Sequence, residues 1–323
     1  MNVNQFFLRL IAVFLISGAA GALSAQPFLQ YWGRPDALLQ DQASLVFEQS
    51  HKILEKYPPT VQAGDERKLA LYALDLLLHD TRLDNSPVVN TYMNRMACRV
   101  SDQLQKERPQ GNETRFYRLY NHGFIVQTAT VTIGIDLVRG GRKGAPVIND
   151  SIMRVIVNQC DTLLVSHTHS DHYDPTVVGM FEERQRKVAP PLQISAFPGH
   201  QDNMPNNLYV VTLPNGLTFM HTGDQDNPAD LEMISGIGDS VRVDVLLAHC
   251  WMRPVDKVVA GVRPALVLCG HENELEHTID HRESYWMTFH RMANMGTPFV
   301  VMAWGESFSY RLDGGLQQLV KNR

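Results

Sequence analysis

The chain has 323 residues, 44% of them hydrophobic, with 29 Lys and Arg against 34 Asp and Glu for a formal net charge of −5. That length and apolar content suit one large or two modest globular domains and exclude a disordered or fibrous chain. The acidic balance, with no basic run long enough to neutralise a phosphate backbone, argues against nucleic acid as a partner.

The first 25 residues carry one charge, Arg9, followed by an apolar run from Leu10 to Ala22 and a small-residue patch ending at Ala25. This is the pattern of a secretory signal peptide. The run is shorter than the roughly 20 residues of a spanning helix, and Gly18 and Gly21 interrupt it, so the mature form is expected to lack a transmembrane segment. Cleavage after Ala25 is expected; Leu23, the third residue back from that cut, is a poor residue there and keeps a cut after Ala22 open. Export to the periplasm or the medium follows, and the mature chain keeps 28 basic against 34 acidic residues, a net charge of −6. Four cysteines, Cys98, Cys160, Cys250 and Cys269, are few for a disulfide scaffold and read mainly as buried thiols.

Residues 26–112 read as helical. Ala43, Leu45, Val46, Ile53 and Leu54 recur at helical spacing before Tyr57-Pro58-Pro59 ends the run. Asp65 is placed as the cap of a second helix, whose apolar run from Leu69 to Leu78 must be well covered. Ser86-Pro87 opens a third helix through Met93, Met96 and Val100 towards Leu104. Arg108-Pro109-Gln110-Gly111-Asn112 breaks the pattern and marks a boundary, with residues 113–323 as a second region. There, β-rich runs at 116–120, 124–128 and 131–136 open a sheet. Strand-like runs at 162–165, 192–197, 208–213, 217–220, 243–248 and 265–268 then alternate with helical ones, which predicts α/β sheets covered by helices.

The strongest local signal is His167-Thr168-His169-Ser170-Asp171-His172, after the apolar strand Thr162-Leu163-Leu164-Val165 and before a helix start at Asp174-Pro175. Residues two apart in an extended loop project to one side, so His167 and His169 suit one cation, while Asp171 and His172 on the following turn face a neighbouring one.

This segment resembles the metallo-β-lactamase superfamily, whose H-x-H-x-D-H signature it matches without substitution. Gly223-Asp224 after the strand 217–220 looks like that family's bridging aspartate, and Gly270-His271 after Ala265-Leu266-Val267-Leu268-Cys269 looks like its last histidine. The resemblance takes in Tyr117 to Val126 and covers roughly residues 114 to 312. It implies an αβ/βα four-layer sandwich preceded by the helical segment, and a binuclear centre. One cation would take His167, His169 and a further histidine, the second Asp171, His172 and His271, and Asp224 would bridge. For the further histidine, His200 is preferred over His221, because the first follows the run 192–197 whereas the second lies inside the strand leading to Asp224. A hydroxide held between the cations would be the nucleophile. Zinc is the leading metal; iron and manganese also suit the donor set.

Asp171 and His249 are the candidate catalytic residues. His249 ends the run 245–248 at the same sheet edge and faces substrate or supports a ligand, or else is a partly buried histidine with a backbone partner. His277, His281 and His290 read as a helix surface, as do His51 and His79. A bridging aspartate resembles the thioesterase, lactonase and phosphodiesterase branches more than the penicillin-hydrolysing one. The expected reaction is hydrolysis of an ester, lactone or phosphodiester bond in a small-molecule or lipid-like substrate. The alternatives are a phospholipase-D-like phosphodiesterase acting on lipid, and a non-catalytic metal-binding scaffold. A further reading makes the N-terminal helices a membrane-docking or oligomerisation module, hence a possible homo-oligomer.

Overall fold

In the computed structural model, residues 29–141, 146–184 and 192–312 are described; the expected leader, residues 1–25, lies outside them. The chain divides into two units, Met1–Leu45 and Val46–Arg323. A 3-10 turn at Leu29–Tyr31 and the start of helix α1 (Pro35–Lys56) fall in the first, the helix continuing past Leu45, and Tyr31 donates its phenol proton to Asp41 at 2.7 Å. The second unit holds both sheets and the remaining helices.

Helix α2 (Asp65–Leu78) starts one residue earlier than a cap at Asp65 requires: Gly64 is the N-cap, and Asp65 sits in the first turn, where its charge still complements the helix dipole. Helix α3 (Pro87–Lys106) starts as the sequence predicts, with the Ser86 hydroxyl accepting from the Val89 N–H and Pro87 inside the first turn.

Two mixed sheets come after these helices. The first contains β1 (Glu113–Arg118), β2 (Phe124–Gln127), β3 (Thr132–Ile135), β4 (Thr162–Leu164) and β11 (Ser307–Arg311), in the order β11-β1-β2-β3-β4. Only β3 and β4 run parallel in it, and helix α4 (Asp150–Gln159) makes their crossover. Helix α5 (Pro175–Glu183) follows β4. The second sheet has β5 (Gln193–Gln201), β6 (Met204–Thr212) and β7 (Thr218–His221) as an antiparallel meander. It continues through the parallel strands β8 (Val245–His249), β9 (Leu266–Gly270) and β10 (Phe299–Val300), linked by helices α6 (Leu231–Ser240), α7 (Val255–Val262) and α8 (Tyr285–Met292).

The sheets bury one shared core. Phe116, Phe124 and Ile133 of the first meet Val211, Phe219, Leu247 and Leu268 of the second, with Phe116 and Phe219 edge to face at 6.2 Å. With the inner faces filled in this way, the crossover helices take the outer ones, which is the helix-sheet-sheet-helix layering expected. No helix among the described residues is long and apolar enough to cross a membrane.

The change of texture near residue 112 marks where helices give way to strands, while the chain divides into its two units at Leu45–Val46. Buried Arg67 of α2 forms a bidentate pair with Glu306, at 2.9 and 2.5 Å. Asp75 accepts from Asn273 Nδ2 and Tyr285 N–H at 2.9 Å and from Trp286 N–H at 3.0 Å, so it ties the start of α8 to α2. Asp84 accepts from the Glu276 N–H and pairs with Arg282. His79 is no surface histidine either: its Nε2 is 3.1 Å from the Arg282 carbonyl.

Burial pushes the Asp75 carboxyl from 3.8 up to about 6, although its three hydrogen bonds work the other way. A raised carboxylate value means that this contribution is fully present below the unfolded value and is lost as pH rises through the folded one. Wild-type stability should therefore decline between about pH 4 and 6 on this account. Asp75→Asn should flatten that decline and cost about 1–3 kcal/mol, since its amide would turn an N–H towards a backbone donor. Urea denaturation at several pH values checks both effects.

Candidate metal centre

The centre starts from a carboxylate that is not itself a candidate ligand. Asp136, just past β3, adopts φ +49° and turns its side chain beneath the end of β4. Its Oδ1 accepts the Ser166 N–H at 2.7 Å, and its Oδ2 accepts the Ser166 hydroxyl at 2.6 Å and His172 Nδ1–H at 2.8 Å. With the Ser166 proton committed to Asp136, its Oγ accepts from His167 Nδ1–H at 3.0 Å. One buried carboxylate thus fixes the rings of two histidines and makes Nε2 the free nitrogen of each. Both Nε2 atoms are buried without a hydrogen-bond partner. Burial opposes the charge on Asp136, but the bonds from His172 and Ser166 hold it below the ordinary carboxylate range.

Four side chains converge beyond this support. Asp171 and His172 come from the turn after β4, Asp224 from the turn after β7, and His271 from the residue after β9. His172 Nε2 is 3.0 Å from both Asp171 Oδ2 and Asp224 Oδ1, and His271 Nε2 is 3.0 Å from Asp224 Oδ2 and 3.4 Å from Asp171 Oδ2. Each of the four offers a ligand atom, and these atoms all lie within 4.8 Å of one another. Although 3.0 Å apart, His172 Nε2 and Asp224 Oδ1 form no hydrogen bond of acceptable geometry. His271 Nε2 hydrogen-bonds Asp224 Oδ2, but His172 Nε2 and Asp224 Oδ1 are left without partners, and two imidazoles with two carboxylates at this spacing suit a divalent cation.

Local backbone chemistry holds the carboxylates. Gly223 has φ +52°, and a Cβ on it would lie 2.1 Å from Asn206 Oδ1, the atom that accepts the Asp224 N–H at 3.1 Å. Asn121 Nδ2 donates to Asp171 Oδ2 at 2.7 Å. Burial opposes ionisation of Asp171 and Asp224, but the neighbouring imidazoles hold both well below the usual range. Burial likewise opposes a charge on the histidines, yet the carboxylates lift His172 well above its ordinary value and His271 to about 10. Two protons fill the space between these groups, and a dication is the group that would replace them.

The remaining candidates differ in how near they come to this point. The His167 ring lies 4.3 Å from that of His172 and 4.8 Å from that of half-buried His169, beside the four converging groups. His249 is buried at the end of β8, its ring 4.3 Å from that of His271, with no partner on either nitrogen. His200 lies apart. The strand expected to end at Phe197 runs on to Gln201, so His200 is inside a hairpin arm and its Nδ1 faces Asp230 at 3.0 Å. Pro198 is tolerated there because β5 is an edge strand. His221 instead ends β7 and is fully paired: Nδ1 accepts the Gly223 N–H, and Nε2 donates to the His122 carbonyl at 3.1 Å.

Three neighbours carry no sequence signal of their own. Gln201 Nε2 lies 3.4 Å from Asp224 Oδ2. Buried Glu274 sets Oε2 3.9 Å from His271 Nε2 and Oε1 2.9 Å from His277 Nε2. His277 is thus in a turn, not on a helix; of the three histidines expected on a helix surface, only His290 lies in α8. His122 is fully buried, its ring 4.2 Å from that of His221. All four cysteines are free, three of them buried, and burial pushes the Cys269 thiol well up.

No family model and no curated protein matches the chain. Among solved structures, it is similar to Igni18, a metallo hydrolase from Ignicoccus hospitalis KIN4/I, at 17% identity and TM-score 0.46, over 62% of this chain and 99% of that one. It is similar to a possible metal-dependent hydrolase from Veillonella parvula DSM 2008 at 14% identity and TM-score 0.46, over 60% and 98%. It is also similar to an isothiocyanate hydrolase from Delia radicum gut bacteria at 12% identity and TM-score 0.46, over 61% and 99%.

Gly223→Ala should test the turn that aims Asp224. The φ alone costs about 1–3 kcal/mol, and the clash with Asn206 adds to it. Thermal melting should show the loss, and a variant as stable as wild type would contradict this account of the turn.

Proposed function

We propose that the protein is an exported, metal-dependent hydrolase of the metallo-β-lactamase superfamily, acting on an ester, lactone or phosphodiester bond. The observation that carries this reading is the buried convergence of ligand atoms from Asp171, His172, Asp224 and His271, with His172 Nε2 and Asp224 Oδ1 left without hydrogen-bond partners. Asp171, His172 and His271 would hold one cation, with zinc the leading choice, and Asp224 would be in reach of it as well. His167 and His169 would contribute to holding a second cation, with Asp224 in common. His200 would join it only with its ring swung away from Asp230, a rotation for which its 43% exposed side chain has room.

When bound, such ions supply Lewis acidity and activate water at neutral pH. The chain's own residues do the rest. Asp224 directs one oxygen towards His172 and the other towards His271. Asn121 orients Asp171, and the Asp136-Ser166 pair orients His167 and His172. Burial of the four groups excludes bulk water and strengthens every charge interaction among them. No thiolate takes part, in keeping with the raised Cys269 thiol.

Asp224→Ala should lower bound metal and abolish turnover while circular dichroism stays that of wild type. Wild-type activity in the variant would mean that another carboxylate does this work. The substrate class is set by screening the metal-loaded enzyme on phosphodiesters, lactones, thioesters and β-lactams. Metal retention without turnover of any of them would favour a non-catalytic scaffold.

A further inference from the structure

Resting on the metal centre proposed above, we infer that His249 is itself a ligand to the cation held by Asp171, His172, Asp224 and His271. The signature motif gives no residue this place.

Backbone geometry brings His249 there. Strand β8 pairs in parallel with β9 so that His249 is opposite Gly270, one residue before His271. The His249 N–H donates to Thr222 Oγ1 at 3.0 Å, which ties it to the turn carrying Asp224. These ties set the ring beside one of the converging residues, 4.3 Å from the His271 ring. Trp251 flanks it, with ring centroids 6.5 Å from His249 and 5.9 Å from His271.

The ring's own chemistry agrees. His249 is 4% exposed, and neither nitrogen has a hydrogen-bond partner. A buried imidazole without partners is costly, and the same unbonded state marks Nε2 of His167 and His172, which face the centre. His122 shares the unbonded nitrogens but lies elsewhere. Its ring is 6.2 to 6.3 Å from those of His172, His249 and His271, and it packs against His221 behind the backbone of Gly270.

The test uses the full chain loaded with Co(II), read by its visible spectrum and by titration. His249→Gln should shift the ligand-field bands and weaken cobalt binding by more than about 100-fold, beyond the roughly 10- to 100-fold typical of a residue that only supports a ligand. His122→Gln should leave the spectrum unchanged. His249→Cys keeps the test decisive if His249→Gln folds poorly: a thiolate on the metal adds an intense near-ultraviolet charge-transfer band. Unchanged bands in His249→Gln, or no such band in folded His249→Cys, would overturn the inference and leave the centre standing. Failure of the wild-type chain to bind cobalt would overturn the centre and the inference together.

Discussion

Two carboxylates buried within 3.0 Å of one imidazole nitrogen are the constraint around which this protein is arranged. Asp171 and Asp224 repel each other and are both stripped of water, so neither could stay ionised there without positive charge between them. His172 and His271 supply that charge as protons, and a divalent cation would supply it with better geometry. A third carboxylate, Asp136, stands behind His172 and through Ser166 reaches His167. The motif is thus held from below by a residue some 30 positions earlier in the chain.

The helices before the sheets serve the same end. The segment after His271 runs from Glu272 to Ser284 and meets α2 and the residues just past it at Asn273, Glu276 and Arg282. Asp75 bonds Asn273 two residues from His271 and also the first turn of α8. Arg118, wholly buried, pairs with Glu272 and donates to the Asn121 carbonyl, so the residues flanking His271 and Asp171 share one support. Helix α2 and the residues just past it thus brace the segment that carries His271.

Much of this is legible in the sequence because it is local. Ser86-Pro87 marks a helix start whatever surrounds it, and the cluster from His167 to His172 carries its ligand types within six positions. Asp224 and His271 follow apolar strands, and parallel strands deliver their ends to one edge. The legible part stops where partners are distant. The run 192–197 reads as ending at Phe197, but pairing with β6 carries β5 through Pro198 to Gln201, so that His200 Nδ1 faces Asp230 and Gln201 reaches Asp224. Glu274 and His277 depend on a turn set by Asp84 and Tyr120, residues that no periodicity connects to them.

The account stands on a cation filling the space among Asp171, His172, Asp224 and His271. Elemental analysis of the purified chain, after reconstitution with zinc or manganese and removal of loosely bound ions, tests this most directly. The expected value is close to two ions per chain. A reproducible value near zero would contradict the centre itself, and the hydrolase reading with it.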